Sequence, residues 1–325
     1  MIARPITTLA MLAFAAGIAA APAVAEEWDM PTGYAPTNFH TVNNAAFADA
    51  VGKAAGDKLR IKLHPGASLF KMPEIKRAVQ QGQVPIGETL MVTLVNENPL
   101  YAMDGLPFLA DSYDAARRLW KIQRPLVEKL LDAQGIRLLY AVPWPPQGLY
   151  TPKPVQSVAD MAGLNWRAYD KQTARLGEIF KARPVTIQAA EVAQALATGR
   201  INSLVSSAQS GVDYKVWESI RHFTDVQAWL PKNMVIANKA AFDKLDPSVQ
   251  SILLAEAAKA EEAGWASSMK TSESTKETLK QNGVAVVAPG PRLKDELAAI
   301  GRQMLDEWLA SAGPDSKAAV DAYRK

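Results

Sequence analysis

Residues 136–146 read Ile-Arg-Leu-Leu-Tyr-Ala-Val-Pro-Trp-Pro-Pro. The first seven are mostly apolar, as a buried strand requires, and Pro143-Trp144-Pro145-Pro146 then ends the pattern. Proline has no N–H for a sheet ladder, so this run is the clearest boundary in the chain. On its upstream side strands and helices alternate. Leu59-Arg60-Ile61-Lys62-Leu63 has the period-two pattern of a strand. Pro73 to Gln81 has Pro at the first helical position and Gly82 just past the end. Val84 to Leu90 reads as a strand, with Pro85 favouring an edge or a strand start. Ala115 to Gln134 sets Leu119, Ile122, Leu126, Leu130 and Leu131 on one helical face, and Pro125 is expected to kink or split that helix. Gly135 stops it. This order predicts a mostly parallel sheet covered by helices.

A second series runs downstream of the boundary. Ser157 to Asp160 starts a short capped helix. Leu164 to Tyr169 and Val185 to Ile187 read as strands, as does Ile201 to Ser206. Gln172 to Ala182 and Ala190 to Ala197 read as helices, the second closed by Gly199. Two α/β domains follow, split near Val142 to Pro154. Asp246 and Pro247 then mark a helix start, and no further Pro occurs before Gln281. At 1.5 Å per residue such a run is roughly 52 Å long, more than one small domain needs. It is either two helices broken at Gly264 or one helix shared by both domains, with Gly264 as a soft point.

Arg4 stands near the start, followed by an uncharged and largely apolar run from Ile6 to Ala20, then Ala23-Val24-Ala25 before Glu26-Glu27. These parts in this order predict a cleavable secretory signal over 1–25, and a periplasmic location. The full sequence carries 36 Lys plus Arg against 33 Asp plus Glu. That balance, with no concentrated basic run, gives no reason to expect nucleic acid as a partner. Cysteine is absent, which removes disulfides, thiolate metal sites and Cys nucleophiles.

Signs of catalysis are missing. There is no G-x-S-x-G, no G-x-G-x-x-G and no P-loop, so no enzyme class or cofactor is implied. His40, His64 and His222 are widely spaced, form no H-E-x-x-H metal motif, and read as surface or packed residues. Binding-type residues do cluster near the domain junction. Trp144, Gln147 and Tyr150 follow the first series. Trp166, Arg167, Tyr169 and Asp170 lie on the strand Leu164–Tyr169 and its exit. Ser206, Ser207, Gln209 and Ser210 follow the strand Ile201–Val205, and Asp213, Tyr214 and Trp217 come next. Ligands of open α/β sheets sit beyond the carboxyl ends of strands, where these groups fall. An arginine among hydroxyl and amide neighbours suits a carboxylate, through two parallel charge-assisted hydrogen bonds. Strand alternation puts Trp166 on the face opposite Arg167, which makes Trp166 a packing residue. Trp217 fits a core as well as a cleft wall, and the two serines fit a simple strand end. A rival reading makes the chain an exported hydrolase, with Ser206 or Ser207 activated by His222; another makes it a receptor presenting its ligand to a sensor kinase.

Four segments carry a resemblance. Ser157 to Arg167, SVADMAGLNWR, resembles the DLKGLKxR signature of the TRAP-transporter substrate-binding proteins, the DctP family. Ala190 to Asn202 is similar to that family's xEVYxALQTGxVDG stretch, and Gln81 to Gly87 to its QxGxxDxG region. The run after Asp246-Pro247 matches its domain-spanning helix. The resemblance covers 26–325. It implies a type II-like periplasmic binding protein whose two α/β domains close on an organic acid and then dock on a membrane permease; no catalysis is expected, and no cofactor or metal-ligating residue is singled out. The expected domains are 26–150, completed by about 233–265, and 151–232, completed by part of 266–325.

The family's carboxylate-holding arginine falls on Arg167. A second family arginine falls on Gln147, and a ligand-binding asparagine falls near Ser206 or Ser207. The resemblance therefore implies a single-carboxylate clamp and carries over no sialic-acid or C4-dicarboxylate specificity. The expected ligand is a monocarboxylate with an aromatic, hydroxy or keto body. Arg167 would hold its carboxylate. Gln147, Ser206, Ser207 and Gln209 would meet its other polar groups. Trp144, Tyr150, Tyr169 and Trp217 would wall the pocket, Asp170 or Asp213 would accept from a hydroxyl or amine, and Glu88 would reach in from the first domain.

Overall fold

The computed structural model describes residues 26–325, so the expected signal segment lies outside the described residues. Strand β1 (Glu26–Pro31) runs parallel to β2 (Leu59–His64), with helix α1 (Phe39–Ala55) between them in sequence. Alternation in β1 buries Trp28 and Met30. Helix α2 (Met72–Gln80), β3 (Ile86–Leu90), α3 (Tyr113–Asp132) and β4 (Ile136–Pro143) follow. Helix α3 passes through Pro125 unbroken, against the expectation of a split. Pro125 is on the exposed face, so the carbonyl that loses its helical partner can turn to water.

The chain then builds β5 (Gln147–Thr151), β6 (Asn165–Ala168), α4 (Lys171–Ile179), β7 (Arg183–Thr186), α5 (Val192–Ala197), β8 (Ser203–Ser207), α6 (Ala208–Asp213) and β9 (His222–Thr224). It closes with β10 (Lys232–Asn238), α7 (Lys239–Lys244), α8 (Pro247–Gln281), β11 (Ala285–Val287), α9 (Pro291–Ser311) and α10 (Pro314–Arg324). One lobe holds a three-stranded sheet in the order β3-β10-β4, beside the β1–β2 pair; the other holds six strands in the order β11-β9-β5-β8-β6-β7. The three-stranded sheet is antiparallel and the six-stranded sheet is mixed, against the expectation of a mostly parallel sheet. Strand β10 is antiparallel to β3 and β4, and β5 is antiparallel to β8 and β9. Each of these two strands follows directly on a crossing from the other lobe, and so enters its sheet from the opposite end.

The crossing strands meet side by side. Trp144 N donates to Pro231 O at 2.8 Å, Gln147 N to Trp229 O at 3.0 Å, and Ala228 N to Gln147 O at 2.9 Å. The first crossing therefore falls at Pro143–Pro146, and the whole of β5, which straddles the expected boundary at residue 150, pairs in the six-stranded sheet. The six-stranded sheet is covered on both faces. Leu149, Trp166 and Val205 pack with Leu176, Phe180 and Leu297 on one side. Tyr150, Leu204 and Phe223 pack with Ile187, Val192 and Leu279 on the other.

Helix α8 is a single run of 35 residues, so the two-helix alternative does not hold. Leu253, Ala257 and Trp265 belong to the core of the first lobe and Leu279 to that of the second. The helix also seals the open edge of β4, because Glu261 Oε2 accepts from Ala141 N at 2.9 Å and Trp265 Nε1 donates to Ala141 O at 3.1 Å. Pairing or covering an edge strand in this way removes a site for unwanted strand addition.

A buried ion pair sits where the second crossing enters the first lobe. Asp104 Oδ2 accepts from Lys232 N at 2.7 Å and lies 3.6 Å from Lys232 Nζ. Burial pushes Asp104 up to about 6, with the Lys232 charge opposing. A carboxyl whose folded pKa exceeds its unfolded value of about 3.9 gives stability that is full at low pH and lost as pH rises through the folded value. From this group the unfolding free energy is expected to fall between pH 4 and 7, by at most about 3 kcal/mol. Urea denaturation across that range is expected to show the falling limb in the wild type and to lack it in Asp104→Asn.

Candidate functional site

The lobes face each other across a cleft at the crossing strands. The second lobe supplies Arg167 from β6, Gln147 from the start of β5, Ser206 from β8, and Gln188, Ser210 and Tyr214 from connecting segments and α6. The first lobe supplies Tyr34, Met72, Leu90 and Thr93, and Trp144 comes from the crossing itself. The cavity measures about 40 Å³, counted over the positions a water centre can occupy. A site needs roughly 10–15 Å³ on this measure to hold one water, so this part of the cleft has room for a compact group, and a larger cavity of about 270 Å³ shares Tyr34, Ala189 and Tyr214 with it.

Arg167 is 4% exposed. Its Nε donates to Ile187 O at 2.9 Å, and its Cζ lies 4.8 Å over the Tyr169 ring. Among the described residues no Asp or Glu forms an ion pair with it. A buried charge is costly unless it is paired, so this guanidinium is set up to receive an anion. Tyr169 fixes it from below and is itself held by Trp229 Nε1, which donates to the Tyr169 hydroxyl at 3.2 Å. Gln147 Nε2 donates to Pro145 O at 3.0 Å, which leaves the amide oxygen as an acceptor.

Of the residues expected at the site, Arg167, Gln147, Trp144, Tyr169 and Ser206 come together on the cleft. The others have structural partners. Tyr150 is fully buried in the second lobe, donates to Ser207 O at 3.0 Å and packs on Phe223. Trp217 packs against the same core. Ser207 caps α6, its Oγ accepting from Ser210 N at 3.1 Å. Asp170 caps α4, accepting from Thr173 N at 2.7 Å. Asp213 is taken by Gln209 Nε2 at 2.6 Å and, from across the cleft, by Asn38 Nδ2 at 2.7 Å. Glu88 lies behind the first-lobe wall, where it accepts from Thr32 Oγ1 and from Asn233 Nδ2 at 3.0 Å. Trp166 is fully buried on the face away from Arg167, donating to Thr173 O at 2.8 Å.

His222 and Ser207 sit opposite Thr151 and Gln147 of β5 respectively, on different flanks of that strand. Four residues of strand separate them, about 13 Å along its axis, too far for a base to reach a nucleophile. His40 is buried, and burial pushes its imidazole well down, so it is neutral.

Tyr34, Met72, Leu90, Thr93 and Gln188 were not foreseen. Tyr34 lies just past the carboxyl end of β1, and the alternation of Trp28 and Met30 with Glu27 and Asp29 is the signal that finds that strand.

A family model for bacterial extracellular solute-binding protein, family 7, named DctP, matches residues 34–311. The chain is similar to DctP6 of Bordetella pertussis, an extracytoplasmic solute receptor binding pyroglutamic acid. Identity is 50%, the TM-score is 0.91, and the match covers 92% of this chain and 99% of that one. It is also similar to a TRAP solute-binding protein from a marine metagenome, specific for pyroglutamate and solved with co-purified pyroglutamate. There identity is 44%, the TM-score is 0.90, and coverage is 93% and 99%. A third relative is the 2,3-diketo-L-gulonate-binding periplasmic protein YiaO of Escherichia coli K12, 25% identical over 291 residues, with 85% of each chain covered. Among the described residues no helix is long and apolar enough to cross a membrane.

Proposed function

The chain belongs to the DctP family of bacterial extracellular solute-binding proteins, and on that premise we propose that it captures pyroglutamate, or a close cyclic monocarboxylate, and delivers it to a TRAP-type permease. The observation that carries this reading is the buried Arg167 guanidinium, open to the cleft and without a carboxylate of its own. The ligand carboxylate completes it through two charge-assisted hydrogen bonds. The ligand's lactam N–H would donate to the Gln147 amide oxygen, and the Ser206 hydroxyl would meet the lactam carbonyl, beside a Tyr214 hydroxyl bonded to Arg167 and Ser210. Pyroglutamate has one negative charge and one compact ring, which suits a cleft whose buried Arg167 has no carboxylate partner among the described residues.

In this reading the protein works in the periplasm, with 1–25 as its export signal, and turns nothing over. We take the lobes as moving bodies that close about the strands at 143–147 and 228–232 with α8 alongside. The ligand touches both lobes only when they are closed, so it shifts the population toward that form. The receptors described above as binding pyroglutamate support the ligand class.

A thermal-shift screen of pyroglutamate, proline, succinate, malate and glutamate tests the proposal. Pyroglutamate is expected to raise the melting temperature by several degrees at 1 mM, the response expected when ligand exceeds Kd a hundredfold or more. Succinate or malate stabilising the protein while pyroglutamate does not would refute it.

A further inference from the structure

Asn233 does not touch the cleft, yet we infer that it sets the specificity of the first-lobe wall by holding both aromatic donors of that wall, Tyr34 and Trp144, away from the ligand. Three residues of this wall carry a hydroxyl or N–H: Tyr34, Trp144 and Thr93. The Tyr34 hydroxyl donates to Asn233 Oδ1 at 3.2 Å, and Trp144 Nε1 donates to the same oxygen at 3.0 Å. An amide oxygen has two lone pairs, so the two donors fill it. Thr93 Oγ1 donates to Leu90 O at 2.6 Å. Burial pushes the Tyr34 hydroxyl well up, so it keeps the proton that it donates.

The direction of the Asn233 amide is itself imposed. Its Nδ2 donates to Glu88 Oε1 at 3.0 Å, and Glu88 is buried and held from the other side by Thr32. A flip would put the NH₂ against two donors. The backbone cannot shift to compensate, because Asn233 lies in the central strand β10 between Leu90 of β3 and Val142 of β4. Glu88, expected from sequence to touch the ligand, acts through Asn233 instead.

The first-lobe wall therefore offers ring faces and aliphatic carbon, and no free donor. All free donors lie on the second lobe. A second carboxylate or a carbonyl aimed at Tyr34 and Trp144 would lose its water and gain nothing. This inference rests on the monocarboxylate reading above and names the residue that enforces it. The class admitted is an acid whose acceptor atoms all lie on one edge, with bare hydrocarbon opposite.

The test has two arms. In the first, calorimetry gives the ratio of the Kd for succinate to the Kd for pyroglutamate. Asn233→Leu frees both donors and is expected to lower the ratio at least tenfold. The double variant Glu88→Gln with Asn233→Asp exchanges which side chain carries the charge but keeps an acceptor facing Tyr34 and Trp144; it is expected to restore the wild-type ratio. In the second, ligand-free arm, NMR follows hydrogen exchange of the Trp144 indole N–H, assigned by its loss in Trp144→Phe. Exchange is expected to be slow in the wild type and in the double variant, and at least tenfold faster in Asn233→Leu. Should Asn233→Leu fail to fold, the double variant decides alone, since a lost ratio or a fast indole there overturns the inference. An unchanged ratio in a folded Asn233→Leu also overturns it, as does fast indole exchange in the wild type. Failure of the wild type to bind pyroglutamate sinks the functional reading instead, and leaves the indole arm to judge Asn233.

Discussion

Arg167→Ala is expected to lose ligand binding by at least about a hundredfold while the ligand-free protein stays folded. Removing one partner of a buried ion pair costs about 3–5 kcal/mol, and each 1.4 kcal/mol is about tenfold in Kd. The ligand-free protein should not suffer. Arg167 is 4% exposed and forms no ion pair with an Asp or Glu among the described residues, so alanine removes a buried charge that is costly to the fold by itself. Its bond to Ile187 O is worth about 1 kcal/mol net. The melting temperature of the empty variant is therefore expected within a few degrees of wild type, with no ligand-induced shift. Arg167→Lys is not expected to rescue, since an ammonium cannot make two parallel bonds or stack on Tyr169 in the same way. Calorimetry and thermal melting together check this; an unfolded Arg167→Ala would mean the arginine is a structural residue.

Gly264→Ala is expected to destabilise the protein, against its helix propensity. Alanine gains about 1 kcal/mol over glycine inside a helix. A Cβ at 264, however, would stand 2.3 Å from Val142 Cγ2, 2.9 Å from Val142 Cγ1 and 3.1 Å from Asn43 Nδ2. Val142 is pinned on β4, and Asn43 Nδ2 donates to Ala260 O at 3.1 Å. Forcing extra carbon into such packing costs about 1–3 kcal/mol or more, and here the helix must also lift from the strand edge that Glu261 and Trp265 seal. A net loss of about 1–2 kcal/mol is expected, recovered when Val142→Ala is added. Urea denaturation of the single and double variants gives the answer. Gly264 is thus a point of close approach between α8 and β4. A more stable Gly264→Ala would return it to the role of a soft point.

Much of the fold was legible because its signals are local. Caps at Ser157 and Asp246, alternation in 59–63 and the apolar run 136–142 each declare an element within a few residues. The two antiparallel strands were not legible. Gln147–Thr151 contains a glycine and follows three prolines, and Lys232–Asn238 begins with a buried lysine, so neither has a strand pattern that stands alone. Their direction is set by where the chain crosses, which is a long-range property. The site divides in the same way. Arg167, Gln147 and Ser206 followed from the strand-end rule and from the resemblance. Sequence alone points to Tyr150 and Trp217 as walls, because aromatic residues near a junction fit either role, and a sheet covered on both faces gives no outward side to tell them apart. Tyr34 and Asn233 are 199 positions apart in sequence, and nothing in either segment announces that they meet.

The central claim is that Arg167 holds the single carboxylate of a compact ring in a closed cleft. Calorimetric titration of the wild-type protein with pyroglutamate and with its neutral carboxamide tests it most directly, since the two solutes share size and ring and differ in charge. The account predicts saturable 1:1 binding of pyroglutamate and a loss of at least about a hundredfold for the carboxamide. Equal affinity for the two would contradict it.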